Sequence, residues 1–76
     1  GARCKIYQNV TIGEVDGKAP TIGPDCLIGA GAVLVGDIRV GQGVRVGAGA
    51  VVCRDIPDGS TVVAPPSRIL ERKQRV

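Results

Sequence analysis

The sequence predicts an all-β chain of the solenoid kind, in which short parallel strands are wound into a coil, and three observations predict it. An aliphatic residue returns at every sixth position, at Ile22, Ile28, Leu34, Val40, Val46 and Val52. A second series of small or aliphatic residues keeps the same period four places further on, at Cys26, Ala32, Ile38, Val44, Ala50 and Ile56. A helix would bring apolar side chains back at three and four and a flat strand at two; a period of six belongs to a strand-and-turn unit repeated along a coil. The first and fifth residues of each hexad then face inward, where β-branched Ile and Val suit a half-buried pleated surface. Finally, glycine follows the inward aliphatic residue at Gly13, Gly23, Gly29, Gly41 and Gly47. The chain is expected to bend there, because glycine takes positive φ at little cost.

The elements follow in order. "GARCKIYQNV" enters directly in register, with Cys4, Ile6, Val10 and Ile12 on the two series. It reads as a chain that starts inside a longer solenoid, either a fragment or one whose first coil is shielded in an oligomer. Ile12 to Ile22 is ten positions rather than six, so "GEVDGKAPT" carries four extra residues. These are expected to form an ejected loop over residues 14–21, with Glu14 to Pro20 exposed, as its Gly, Pro, Asp and Lys content suits. From Ile22 to Ile56 the hexads run without a break. "PPSRILERKQRV" is polar, and a short cap, helical from Ser67, is expected there. The solenoid is thus placed at 1–66 and the cap or tail at 67–76.

Composition sets further bounds. At 76 residues the chain is one domain, and a globular chain of that size buries only roughly 60% of its unfolded surface. A net charge of +3 and a single aromatic residue, Tyr7, give neither the basic field nor the stacking surface of a nucleic-acid binder. No apolar run reaches membrane-spanning length and no secretory signal is visible, so a cytoplasmic location is expected and no membrane partner. Three cysteines are an odd number without metal-ligand spacing, a poor disulfide framework. With no histidine, no metal site is expected.

"YQNVTIG", the loop, "TIGPDCLIGAGAVLVGDIRVGQGVRVGAGAVVCRDIP" and "VVAPPSRIL" together resemble the C-terminal part of the hexapeptide-repeat acyltransferases. Within them the resemblance is greatest to the serine acetyltransferases and the related sugar O-acetyltransferases. It covers nearly all the chain from Ile6 to Leu70, and the paired "IGAGAV" and "VGAGAV" and the closing "RDIP" and "VVA" segments carry it. The resemblance implies a left-handed parallel β-helix of about three coils, a hand opposite to the usual crossover rule. It also implies a homotrimer, with acetyl-CoA as substrate in a groove between subunits and a small hydroxyl compound, serine or a sugar, as acceptor.

If three hexads make one turn, as in that family, Ile6, Ile28 and Val46 stack in one column. Ile12, Leu34 and Val52 form a second, and Ile22 and Val40 a third. At the corners Cys4, Cys26 and Val44 would stack, as would Val10, Ala32 and Ala50, and Ile38 with Ile56. Cys4 and Cys26 would lie one strand spacing apart, about 4.8 Å. A disulfide is conceivable there, but buried free thiols are the favoured reading.

The resemblance implies that Ala30 and Ala48 line the groove beside the pantetheine arm. It puts Cys53 and Arg54 beside the CoA, Arg68 near the nucleotide phosphates, and the ejected loop over the thiol end. Close packing of outer corners would equally demand small residues at 30 and 48, and Arg54 and Arg68 also suit an ordinary solvated surface. In that family a histidine takes the hydroxyl proton as the thioester is attacked, and this sequence has none. Glu14, Asp16, Asp25 or Asp37 could serve only with strongly raised pKa values. The sequence therefore reads as an O-acetyltransferase segment without its catalytic histidine and with little activity of its own; no catalytic residue is assigned. The alternative is an inactive β-helix scaffold or trimerisation module.

Overall fold

The computed structural model describes residues 1–65. Among them nine short strands follow one another: β1 (Lys5–Ile6), β2 (Thr11–Gly13), β3 (Thr21–Ile22), β4 (Leu27–Ile28), β5 (Val33–Val35), β6 (Arg39–Val40), β7 (Arg45–Val46), β8 (Val51–Val52) and β9 (Thr61–Val62). They wind into a three-sided prism of about three turns. β1, β4, β7 and β9 stack in parallel on a first face, β2, β5 and β8 on a second, and β3 and β6 on a third. The expected columns are present: Ile6 pairs with Ile28 and Ile28 with Val46, Ile12 with Leu34 and Leu34 with Val52, and Ile22 with Val40. The cap expected at 67–76 lies outside the described residues.

Strands of two or three residues bury nothing alone, so the fold exists only as a stack. Each coil hangs on the next through parallel ladder bonds, such as Lys5 N–H to the Cys26 carbonyl at 2.9 Å and Leu27 N–H to the Val44 carbonyl at 2.9 Å. The interior is aliphatic: Ile28, Leu34, Val44 and Val46 are wholly buried, with Ala32 and Ala50 closing one corner and Cys26 another. Cys4 and Cys26 are free thiols, each donating to the carbonyl of the adjoining corner, Cys4 to Gly23 at 3.2 Å and Cys26 to Gly41 at 3.0 Å. Burial pushes the Cys26 thiol above its ordinary pKa, which keeps it protonated. Burial falls away toward the first strands: Ile6 and Ile12 are 51% and 44% exposed, with no described coil over them.

Two expectations need correction. The glycines that follow the inward aliphatic residues do not carry positive φ; those that do stand elsewhere in the turns, at Gly31, Gly43, Gly49 and Gly59 among others. A glycine such as Gly29 is required for close approach, since a Cβ there would lie 2.6 Å from the Ala48 backbone nitrogen. The second correction concerns Ile56, which stacks beneath Val40 rather than Ile38. The chain covers the step from Val52 to Ile56 in two residues fewer than the step from Leu34 to Val40. Ile56 therefore moves into the face column, and β9 pairs Val46 with Val62 in the same shifted phase.

Corner lengths locate every such irregularity. The corner between first and second faces takes residues 7–10, 29–32 and 47–50, and that between third and first faces takes 23–26, 41–44 and 57–60, four residues each time. The corner between second and third faces varies. Counted between stacked positions, it holds residues 14–20 in the first coil and 36–38 in the second, whereas in the third, where Arg39 lies over Asp55, only Arg54 remains, two residues fewer. The ejected loop is therefore the long version of the corner whose short version holds Arg54 between Cys53 and Asp55; Thr21, placed at the end of the loop from sequence, already belongs to β3.

Candidate functional site

Ala30 and Ala48 stand one above the other on the first–second corner. Each follows a glycine in a tight turn closed by a bond of 3.2 Å, Ala32 N–H to the Gly29 carbonyl and Ala50 N–H to the Gly47 carbonyl. Gly31 and Gly49 take the left-handed residue of the turn, at φ 73 and 74, the position where a type II turn demands glycine. The turns are also stitched to each other, Gly31 N–H to the Gln8 carbonyl at 3.0 Å and Gly49 N–H to the Ala30 carbonyl at 2.9 Å. The next donor in that series would be residue 65, which is proline and brings no N–H. Among the described residues the Ala48 carbonyl thus has no partner from the coil below, and Ala48 is exposed while Ala30 is half-buried. The result is a narrow step of small side chains with an acceptor that no described residue fills.

Cys53 and Arg54 are exposed and lie on the second–third corner, across the width of the second face from the alanines. The four residues do not form one patch on a single chain. They edge the two sides of a face whose outward side chains, Thr11, Val33 and Val51, carry no charge, with Val51 66% exposed. The ejected loop lies on the Arg54 side. Val15 and Lys18 bond each other's backbone at 2.9 and 3.0 Å across Asp16 and Gly17, and Lys18 Nζ reaches Asp37 Oδ2 at 3.8 Å. Arg68 lies outside the described residues.

Of the carboxylates considered as bases, Glu14, Asp16, Asp25 and Asp37 are all exposed. Asp25 is held below the usual carboxylate range, chiefly by the Arg3 guanidinium that hydrogen-bonds it at 2.7 and 3.0 Å, the reverse of what a general base needs. Sequence reasoning missed a second pair of acids. Asp55 Oδ1 accepts the Arg39 N–H at 2.8 Å, and Asp58 Oδ1 the Gln42 N–H at 2.8 Å. With Arg39, Gly41, Ile56 and Pro57 they line an open cleft of about 390 Å³. The signal was the two-residue loss of phase at "CRDIPD", which hides behind Ile56 falling on the wrong series. No group of three metal-ligating side chains occurs among the described residues, and no described helix is long and apolar enough to cross a membrane.

With this geometry in place, similarity to known proteins sharpens the picture. Residues 19–54 match the family model described as bacterial transferase hexapeptide (six repeats). The serine acetyltransferase of Synechococcus elongatus is 46% identical, over 95% of this chain and 31% of that protein. That of Bacillus subtilis is 45% identical, over 92% of this chain and 37% of that protein. Among solved structures, serine acetyltransferase isoform 3 of Entamoeba histolytica, in complex with cysteine, superposes with a TM-score of 0.79 at 36% identity, over 91% of this chain and 26% of that one. The Neisseria gonorrhoeae serine acetyltransferase, in complex with serine, gives 0.71 at 41% identity, over 80% and 26%. The chain spans about a third of the length of the curated relatives it matches. Its prism is the left-handed parallel β-helix, and by repeat, register and superposition the chain is a hexapeptide-repeat β-helix of the bacterial transferase kind, similar along nearly its whole length to part of the serine acetyltransferases.

Proposed function

We propose that the chain is the CoA-binding β-helix of an acetyl-CoA-dependent O-acetyltransferase acting on serine. The observation that carries this reading is the 46% identity to a serine acetyltransferase running through 95% of the chain, across both corners that would hold the thioester. The alanine step offers an extended pantetheine arm close approach and the carbonyl of Ala48 as acceptor for an amide N–H. Arg54, exposed at the other edge of the second face, supplies a guanidinium for phosphate, and Arg68 is assigned the same task. Because the two edges lie a face apart, the groove is composite in this reading: the alanine corner of one copy faces the Cys53 and Arg54 corner of another, as a homotrimer would arrange. The long loop sits near the thiol end.

The base that takes the serine hydroxyl proton comes from outside these 76 residues, since they contain no histidine and Asp25 is pushed the wrong way by Arg3. The residues present bind and orient, and by themselves transfer acetyl groups poorly. Isothermal titration with CoA and with acetyl-CoA tests the reading. Binding is expected to weaken about tenfold when Arg54 is changed to Ala, the loss of one charge-assisted hydrogen bond. A folded protein giving no heat at millimolar CoA would instead be the inactive scaffold, a reading that the missing histidine favours.

A further inference from the structure

The shortened corner beneath Arg39 breaks the hydrogen-bond ladder at one place, and a side chain mends it. In the coil above, Thr21 N–H donates to the carbonyl of Ile38, the residue before its partner Arg39, at 2.9 Å. One coil on, Val40 stacks on Ile56, so Arg39 lies over Asp55 and its N–H should reach the carbonyl of Arg54. It does not. The acceptor is Asp55 Oδ1 at 2.8 Å, while the ladder resumes at once with Ile56 N–H to the Arg39 carbonyl and Gly41 N–H to the Ile56 carbonyl, both at 2.9 Å. The carboxylate stands where a main-chain carbonyl belongs, and the backbone at Arg54, an exposed residue, leaves the ladder in a bend.

We infer that Asp55 is a positioning residue for the candidate CoA site: by replacing the Arg54 carbonyl in the ladder it holds Cys53 and Arg54 outside the prism, with the guanidinium turned to solvent. This rests on the CoA-binding reading for its purpose, but on the ladder alone for its geometry. Asp55 touches no ligand in this account and acts only through Arg54. A charged carboxylate is not needed for that. A side-chain oxygen at the same reach is, so asparagine suffices and alanine does not.

The test combines a double-mutant cycle with amide hydrogen exchange. D55A is expected to weaken CoA binding about tenfold, as R54A does, and D55N to stay within about twofold of wild type, one tenfold step being the worth of a charge-assisted contact. In the R54A background D55A is expected to cost nothing further; an equal loss in both backgrounds overturns the inference, because Asp55 would then act independently of Arg54. The Arg39 amide should exchange slowly in wild type and in D55N and at least about tenfold faster in D55A, with Gly41 protected in all three as evidence that the stack is intact. Unchanged Arg39 exchange in D55A overturns the inference whatever CoA does. If wild type binds no CoA while Arg39 behaves as described, the ladder assignment stands and the CoA reading is what has failed.

Discussion

Arg3 and Asp25 sit one above the other on the third–first corner, both in the left-handed region at φ 57 and 61, in a column that continues as Gly43 and Gly59. Glycine takes that conformation freely, aspartate tolerates it and arginine pays for it. The bidentate pair between the two side chains, at 2.7 and 3.0 Å, offsets part of that strain. Both groups are exposed, so the pair is modest and salt-sensitive. Its sign with pH is nonetheless fixed. The Asp25 carboxyl is lowered in the folded state, so its contribution is complete above the unfolded carboxylate value of about 3.9 and is lost as pH falls through the folded one. Thermal melts of wild type and D25N should therefore differ at neutral pH and converge in acid as the Asp25 carboxyl is protonated. A gap that persists in acid would assign the effect to backbone conformation instead of charge.

Among the elements, the ejected loop is the most independent. Its turn is Asp16 and Gly17, at φ 53 and 77, the pairing that a tight hairpin of type I′ selects. A Cβ on Gly17 would meet nothing within 4 Å, so G17A should cost about 1 kcal/mol through conformation alone, read as a small fall in melting temperature with the core unchanged. The loop was legible because four residues interrupt a strict period and carry turn chemistry. The face columns were legible too, since one inward aliphatic residue per six positions leaves a single register that buries them all. The short corner at Arg54 was not, because Ile56 satisfies both the unbroken series and the shifted one, and only the ladder decides between them. The glycines were misassigned for a related reason. Composition shows that a side chain is absent, and does not say whether φ or the neighbouring backbone demands it. Of the site, the alanine step and Arg54 could be singled out from motif alone. Their separation by a whole face could not, nor could the role of Asp55, which is a hydrogen bond between residues sixteen positions apart.

At the scale of the whole molecule, burial differs between the described coils. Leu34 is wholly buried between Ile12 and Val52, whereas Ile12 in the same column is 44% exposed. L34A should cost about 2–5 kcal/mol, the loss of a core side chain plus a cavity held open by coils on both sides, and I12A should cost less than half as much. Equal losses in chemical denaturation would show that the difference in exposure between the two residues does not set the cost. One edge of the prism absorbs every change in chain length, seven residues, then three, then two fewer again, while the other two edges keep four in each turn. Coil winding is consequently indifferent to what is inserted along that edge. It is the natural splice point of the scaffold: foreign peptide grafted at Asp16 and Gly17 would be displayed without rephasing a single core residue, whereas the same graft at Ala30 or Gln42 would throw every later coil out of step.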